Sequence, residues 1–182
     1  MFGLSFLQPL PVERPKLFKM IRCQNCEFTG IKLKNSPNSF IHFTDSDNVY
    51  IHDFEIEVDP WRLHNKFFKL FWWFPFNTDG IDLAASNVLI ERLNITNYDD
   101  AVVVKRGTQN NVISKCSENI TVRDINVQYS TGMAIGSIRP SDYYSCVRNV
   151  TFENINMRNP FKAIYIKTNP GTTTSMLPGS GG

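Results

Sequence analysis

The feature that most restricts what this chain can fold into is a nine-residue pattern that recurs five times. It reads Asn, apolar, any, apolar, two of any type, apolar, any, apolar. The copies are NCEFTGIKL from Asn25, NVYIHDFEI from Asn48, NVLIERLNI from Asn87, NITVRDINV from Asn119 and NVTFENINM from Asn149. The last three start 32 and 30 residues apart. Apolar alternation with a period of two is the signature of a strand with one buried face. The two-residue gap inside each copy predicts a corner, after which the strand resumes with the same face inward.

A second apolar stretch follows each of the last three copies at an offset of 14 residues: AVVV from Ala101, MAIG from Met133 and AIYI from Ala163. Earlier counterparts are FIHF from Phe40 and GIDL from Gly80. Several short strands per unit of about 30 residues, without helical periodicity between them, predict an all-β chain wound as a right-handed parallel β-helix of about five coils. A β-sandwich also has many short strands, but it would not keep one pattern in phase over five copies. The inward columns then read Cys26, Val49, Val88, Ile120, Val150 and Phe28, Ile51, Ile90, Val122, Phe152, stacked at the ~4.8 Å strand spacing. The leading asparagines suit corners, because Asn tolerates a left-handed backbone and its amide can bond the Asn of the next coil. Three N-x-T sequons arise at Asn94, Asn119 and Asn149, and the last two are explained by their corner positions alone.

Residues 14–182 are expected to form this β-helix and residues 1–13 an irregular lead. An insertion from Asp59 to Phe76 carries the run KFFKLFWWFPF. It suits either a loop folded over the outside of the coils or an aromatic wall beside the site described next. The tail NPGTTTSMLPGSGG is linker-like. With a short Pro-rich lead and no amphipathic helix before the first coil, the chain is expected to be a piece of a longer β-helix, poorly stable alone, since terminal coils need caps.

A net charge of +2 gives no reason to invoke nucleic acid or a membrane surface, and no apolar run is long enough to span a bilayer. Cys23 and Cys26 have CxxC spacing, but no second pair or paired histidines complete a metal set. Cys26 also falls on an apolar position of the repeat, so a buried thiol is expected there. Cys116 and Cys146, 30 residues apart, are placed to stack or to bridge in an oxidising compartment.

The chemistry concentrates between Asn77 and Lys105. Asp79 lies in NTDG, and Asp99 and Asp100 are adjacent. In coil register Asp79 aligns with Asp100, Thr131 lies one coil above Asp99, and Lys105 and Lys167 occupy equivalent positions. Three acids this close cannot all ionise freely, so at least one pKa should rise. A proton-holding acid facing an ionised one is what glycoside cleavage requires. Either motif alone would pass as turn chemistry; the pair, one coil apart, marks a site. His42, His52 and His64 are expected to be surface or loop residues.

NTDG at Asn77, DDAVVVK at Asp99, STGMAIGS at Ser130 and YIKT at Tyr165 resemble, in order, the NTDG, DDC-lysine, GHG and RIK motifs of glycoside hydrolase family 28, the polygalacturonases. The upstream stretch from Arg14 to Pro37 resembles the preceding coil of that family. The resemblance implies a pectin-lyase-like solenoid and inverting hydrolysis of α-1,4-galacturonosidic bonds in pectin, without metal or cofactor. It implies a secreted protein, monomeric at full length, with a pectic polysaccharide as its partner. By position, Asp99 resembles the general acid, and Asp79 and Asp100 the pair that activates water. Lys167 resembles the lysine that holds the sugar carboxylate, with Lys105, Tyr165, Thr131 and Asn77 lining the substrate. Ala101 stands where the family has Cys, Thr131 where it has the GHG histidine, and Tyr165 where it has the RIK arginine. Those departures keep two other readings open: a β-helix that binds polysaccharide without cleaving it, and a hydrolase for substituted or rhamnose-containing pectin.

Overall fold

The computed structural model describes residues 14–59, 75–140 and 143–168. Most of the aromatic insertion, the residues before Arg14, His64 and the tail after Thr168 lie outside the described residues. The described part consists of ten strands: β1 (Phe18–Ile21), β2 (Gln24–Thr29), β3 (Lys32–Lys34), β4 (Ile41–Glu57), β5 (Ile81–Thr96), β6 (Asp100–Val104), β7 (Cys116–Gln128), β8 (Gly132–Ile138), β9 (Cys146–Arg158) and β10 (Ile164–Thr168). Every pairing is parallel, and one stack runs β1-β4-β5-β6-β8-β10. The chain is a parallel β-helix, as the repeat predicts.

The two expected columns are present residue for residue. Cys26 pairs with Val49, Val49 with Val88, Val88 with Ile120 and Ile120 with Val150; Phe28, Ile51, Ile90, Val122 and Phe152 run beside them. Ile51, Ile90 and Val122 are fully buried. The hydrophobic effect therefore acts along the axis, each coil burying its inward row against the next.

The corners are where the sequence places them. Asn25, Asn48, Asn87, Asn119 and Asn149 all have left-handed backbone, with φ between 51° and 56°. The mid-pattern corner is left-handed too, at Gly30, Asp53, Arg92, Asp124 and Asn154. Asn48 donates to Asn25 Oδ1 at 2.7 Å, Asn119 to Asn87 at 3.0 Å and Asn149 to Asn119 at 2.8 Å. Asn87 instead donates to Asp47 Oδ1 at 2.8 Å, which interrupts the ladder after the second coil. A parallel ladder continues through Asn94, Asn126 and Asn156.

Two expectations are corrected. Cys26 is not a thiol: it forms a disulfide with Cys23, because left-handed residues Arg22 and Asn25 fold the segment so that the two Cα atoms lie 6.1 Å apart. Cys116 and Cys146 do stack, in direct register, and are bridged. The 14-residue offset is also not uniform. A register shift between Asp100 and Val102 seats Met133 over Val102 and under Ile164. Ala101 is the residue left over, and such bulges re-aim neighbouring side chains.

A second bulge lies between Thr44 and Ser46, at Asp45, whose φ is 54°. Its buried carboxylate accepts the N–H groups of Val112 (2.9 Å), Ile113 (2.7 Å) and Ser114 (2.9 Å), and Arg22 Nε at 3.1 Å. This one side chain pins the connection between β6 and β7 to the coil two turns earlier. Burial opposes its ionisation, but the three N–H groups and Arg22 outweigh that and lower its pKa. Asp45→Ala is expected to cost about 2–4 kcal/mol, because it orphans three backbone donors at once; denaturant unfolding at neutral pH checks this. Because the folded pKa lies below the unfolded one, this contribution is complete above the unfolded value near ~3.9 and disappears as pH falls through the folded value.

Candidate active site

The outward face of the β4-β5-β6-β8-β10 stack carries one row in register: His42, Asp82, Val103, Ala134 and Tyr165. Val103 and Ala134 are fully buried although alternation turns them outward. They form a small, smooth floor between a polar pair at one end and a phenol at the other. The three predicted aspartates lie along the rim of this floor, at the starts of β5 and β6.

Asp79, Asp99 and Asp100 do converge: one carboxylate oxygen from each lies within 4.8 Å of the others. The coil register achieves this. The Gly80 N–H bonds the Asp100 carbonyl at 2.8 Å, and the Thr131 N–H bonds the Asp99 carbonyl at 2.9 Å, so Thr131 does sit one coil above Asp99. A Cβ on Gly80 would lie 2.4 Å from the Ala101 carbonyl oxygen, so the glycine of NTDG is what lets the two acid-bearing turns approach. Buried Asn97 clamps the same turns, donating to the carbonyls of Thr78 (2.9 Å) and Asp100 (2.8 Å).

Each acid has a distinct environment. Asp99 accepts the Asn77 N–H on Oδ2 and the Asp100 N–H on Oδ1, both at 2.9 Å. Burial raises its pKa, the Asn77 N–H opposes that and Asp100 reinforces it, and the net direction is upward. Asp79 is pushed up to about 8, first by burial, then by the charges of Asp82 and Asp99, with Lys105 pulling the other way. Crowding by the neighbouring acids contributes to this rise, as expected, but burial is its larger cause. Asp100 is fully buried; Lys167 Nζ bonds its Oδ2 and the Tyr165 hydroxyl donates to its Oδ1. Burial and that bond to Asp100 push the Tyr165 phenol well above its ordinary pKa.

The remaining predicted residues have different surroundings. Asn77 is exposed, and its Oδ1 accepts from Arg14 at 2.7 Å. Lys105 lies 3.1 Å from Asp82 Oδ1, with its charge directed at a carboxylate outside the trio. Asp82 was not anticipated. It is buried, and its Oδ2 lies 3.2 Å from His42 Nδ1. Burial works against its charge, but His42 and Lys105 prevail and its pKa is lowered. His42 is thus part of the site's surroundings rather than a bystander. His52, stacked on Tyr50 and bonded to Glu27 and Asp53, belongs to a surface network elsewhere. The signal for Asp82 and His42 was in the sequence, since both are polar residues between inward apolar ones in GIDL and FIHF, one coil apart.

Among the described residues, this trio is also the cluster whose oxygens could ligate a cation. Lys167 already pairs with Asp100 there. The arrangement suits proton transfer, with one acid of strongly raised pKa, a carboxylate paired with a lysine and a third acid of raised pKa around one small space.

The profile of glycosyl hydrolases family 28 matches residues 11–177. A probable endo-xylogalacturonan hydrolase A of Aspergillus fumigatus is 32% identical over 160 residues, covering 87% of this chain and 35% of that protein. A probable polygalacturonase of Arabidopsis thaliana is 30% identical over 159 residues, covering 85% of this chain and 29% of that protein. The crystal structure of a hyperthermoactive exopolygalacturonase from Thermotoga maritima superposes with a TM-score of 0.67 at 33% identity, over 85% of this chain and 32% of that one. The chain spans about a third of the length of the curated relatives it matches.

Proposed function

This chain belongs to glycoside hydrolase family 28, and from that premise we propose that it carries the acid–base centre of a pectin-degrading hydrolase acting on α-1,4-galacturonosidic bonds. The observation that carries the reading is the convergence of Asp79, Asp99 and Asp100 within one small space, each with different hydrogen-bond and charge partners. Asp99 protonates the leaving glycosidic oxygen: its pKa is raised, and two N–H bonds fix its orientation. Asp100 accepts the proton of the attacking water, aligned by Lys167 and Tyr165, while Asp79 orients that water. The partner is a pectic polysaccharide and the protein acts outside the cell; two disulfides suit an oxidising compartment.

Tyr165 supports activity in spite of the departure from the family motif. It does not leave a gap where the arginine would be, but takes up a lone pair of Asp100 that would otherwise be buried without a partner.

Inversion at the anomeric centre is supported by the family, not by the spacing. The closest oxygens of the trio lie within 4.8 Å, tighter than the ~6.5–9.5 Å between acid and base in most inverting enzymes. The reading expects the β-anomer first in an NMR time course of polygalacturonate digestion. Appearance of the α-anomer first would refute the inverting assignment, and the trio would then have to be read as a retaining pair with an auxiliary acid.

A further inference from the structure

Resting on the reading that the protein acts outside the cell, we propose that Asn94 is a site of N-glycosylation and that Asn119 and Asn149 are not, although each of them opens an N-x-T sequon. The modifying group is an oligosaccharide delivered from a lipid-linked pyrophosphate donor. The C1–O bond of its first sugar breaks and a C1–Nδ2 bond forms, while Nδ2 gives up one proton and the lipid pyrophosphate departs, with no change of oxidation state. The folded product must then leave that amide nitrogen open to carry the sugar.

The sequon amides differ in what their nitrogens do. Asn119 Nδ2 donates to Asn87 Oδ1 at 3.0 Å, and Asn149 Nδ2 donates to Asn119 Oδ1 at 2.8 Å. Both residues sit at left-handed corners, with φ of 55° and 51°, in a ladder whose rungs are one strand spacing of ~4.8 Å apart. A sugar on either nitrogen would have to enter that gap and part the rungs. Asn94 lies instead within the extended run of β5, where alternation turns Asn94 and Thr96 outward and buries Ile95 between them. It is exposed, and in the ladder through Asn126 and Asn156 it only accepts: Asn126 Nδ2 donates to Asn94 Oδ1 at 3.0 Å, and Asn156 Nδ2 to Asn126 Oδ1 at 3.1 Å. Among the described residues, nothing accepts from Asn94 Nδ2; Glu55, its neighbour on the preceding coil, is paired with Lys32. A glycan on that nitrogen leaves the bond from Asn126 in place. Gln128 and Arg158 follow Asn126 and Asn156 at the position where Thr96 follows Asn94, so within this ladder the sequon falls on the member whose nitrogen is open. There is also room outside: Asn94 and Thr96 line a groove of about 540 Å³ with Asn126, Gln128, Asn156 and Arg158, whose side chains can hydrogen-bond the first sugars.

The test directs the full-length protein through the secretory pathway of a eukaryotic host. The secreted product is treated with peptide-N-glycosidase in water enriched in heavy oxygen, which leaves a labelled aspartate wherever a glycan was removed. Peptide mass spectrometry should find the label at Asn94 and not at Asn119 or Asn149. Before that treatment, Asn94→Gln should migrate faster on a gel by the mass of one glycan, whereas Asn119→Gln and Asn149→Gln should match the wild type. Thr96→Ala, which ends the sequon but keeps Asn94 and the bond from Asn126, should lose the same glycan, and Thr96→Ser should keep it. An unlabelled Asn94 in the secreted protein, or label at Asn119 or Asn149, overturns the assignment and leaves the hydrolase reading standing.

Discussion

Asp99→Asn is expected to lower kcat on polygalacturonate by ~10²–10⁴-fold, the usual worth of general acid–base assistance. An amide cannot deliver the proton that the leaving oxygen needs. The structure adds a second consequence. Both Asp99 oxygens accept backbone N–H groups, from Asn77 and Asp100. In the amide, the NH2 must face one of those donors, so the variant should also lose about 1–3 kcal/mol of stability. The two losses are separable: denaturant unfolding reads the second, and turnover at a temperature where both proteins are folded reads the first. Wild-type turnover in the folded variant would remove Asp99 from the chemistry.

Asp79→Asn is expected to change stability and turnover in opposite directions. Burial and the charges of Asp82 and Asp99 raise Asp79 to about 8 in the folded chain, against ~3.9 unfolded. Between these values the folded protein keeps a proton that the unfolded chain has released. Wild-type stability contributed at this site is therefore greatest below the unfolded pKa and declines as pH rises toward the folded one. Allowing for partial exposure and for sharing of the proton among the trio, the decline is roughly 2–4 kcal/mol. Asparagine never ionises, so the variant should be about as stable as wild type near pH 4 and more stable by that amount near pH 8, while hydrolysis falls. Parallel unfolding curves at the two pH values would show that Asp79 is not held protonated. Asp45 has the opposite sign and acts only in the acid range, so the two sites are distinguished by the pH at which each is felt.

Much of this was legible in the sequence because a parallel β-helix turns linear spacing into spatial order. A corner asparagine needs a left-handed backbone, an inward position needs an apolar side chain, and both requirements repeat every coil. The columns through Val88 and Ile90 and the convergence of Asp79 with Asp100 follow from counting. What could not be counted was set by contacts across register. Ala101 takes up one residue in a bulge, so no fixed offset was exact there. Cys26 fits an apolar column as a thiol, and only the left-handed residues Arg22 and Asn25, on either side of Cys23 and Gln24, bring Cys23 to it. Lys105 and Lys167 look alike by position, yet one turns to Asp82 and the other to Asp100. Asp82 and His42 lie in strands that read as core, and their outward polarity is meaningful only once Val103 and Ala134 are seen to form a floor between them and Tyr165.

The most direct test of the central claim is release of reducing ends from polygalacturonate by the full-length protein, followed between about pH 4 and pH 7 beside its Asp99→Asn variant. The account predicts steady release by the wild type, with loss of nearly all of it in the variant. Tight binding of the polymer with no release at any pH would contradict it, and would make this β-helix a polysaccharide-binding surface that keeps the acids without their chemistry.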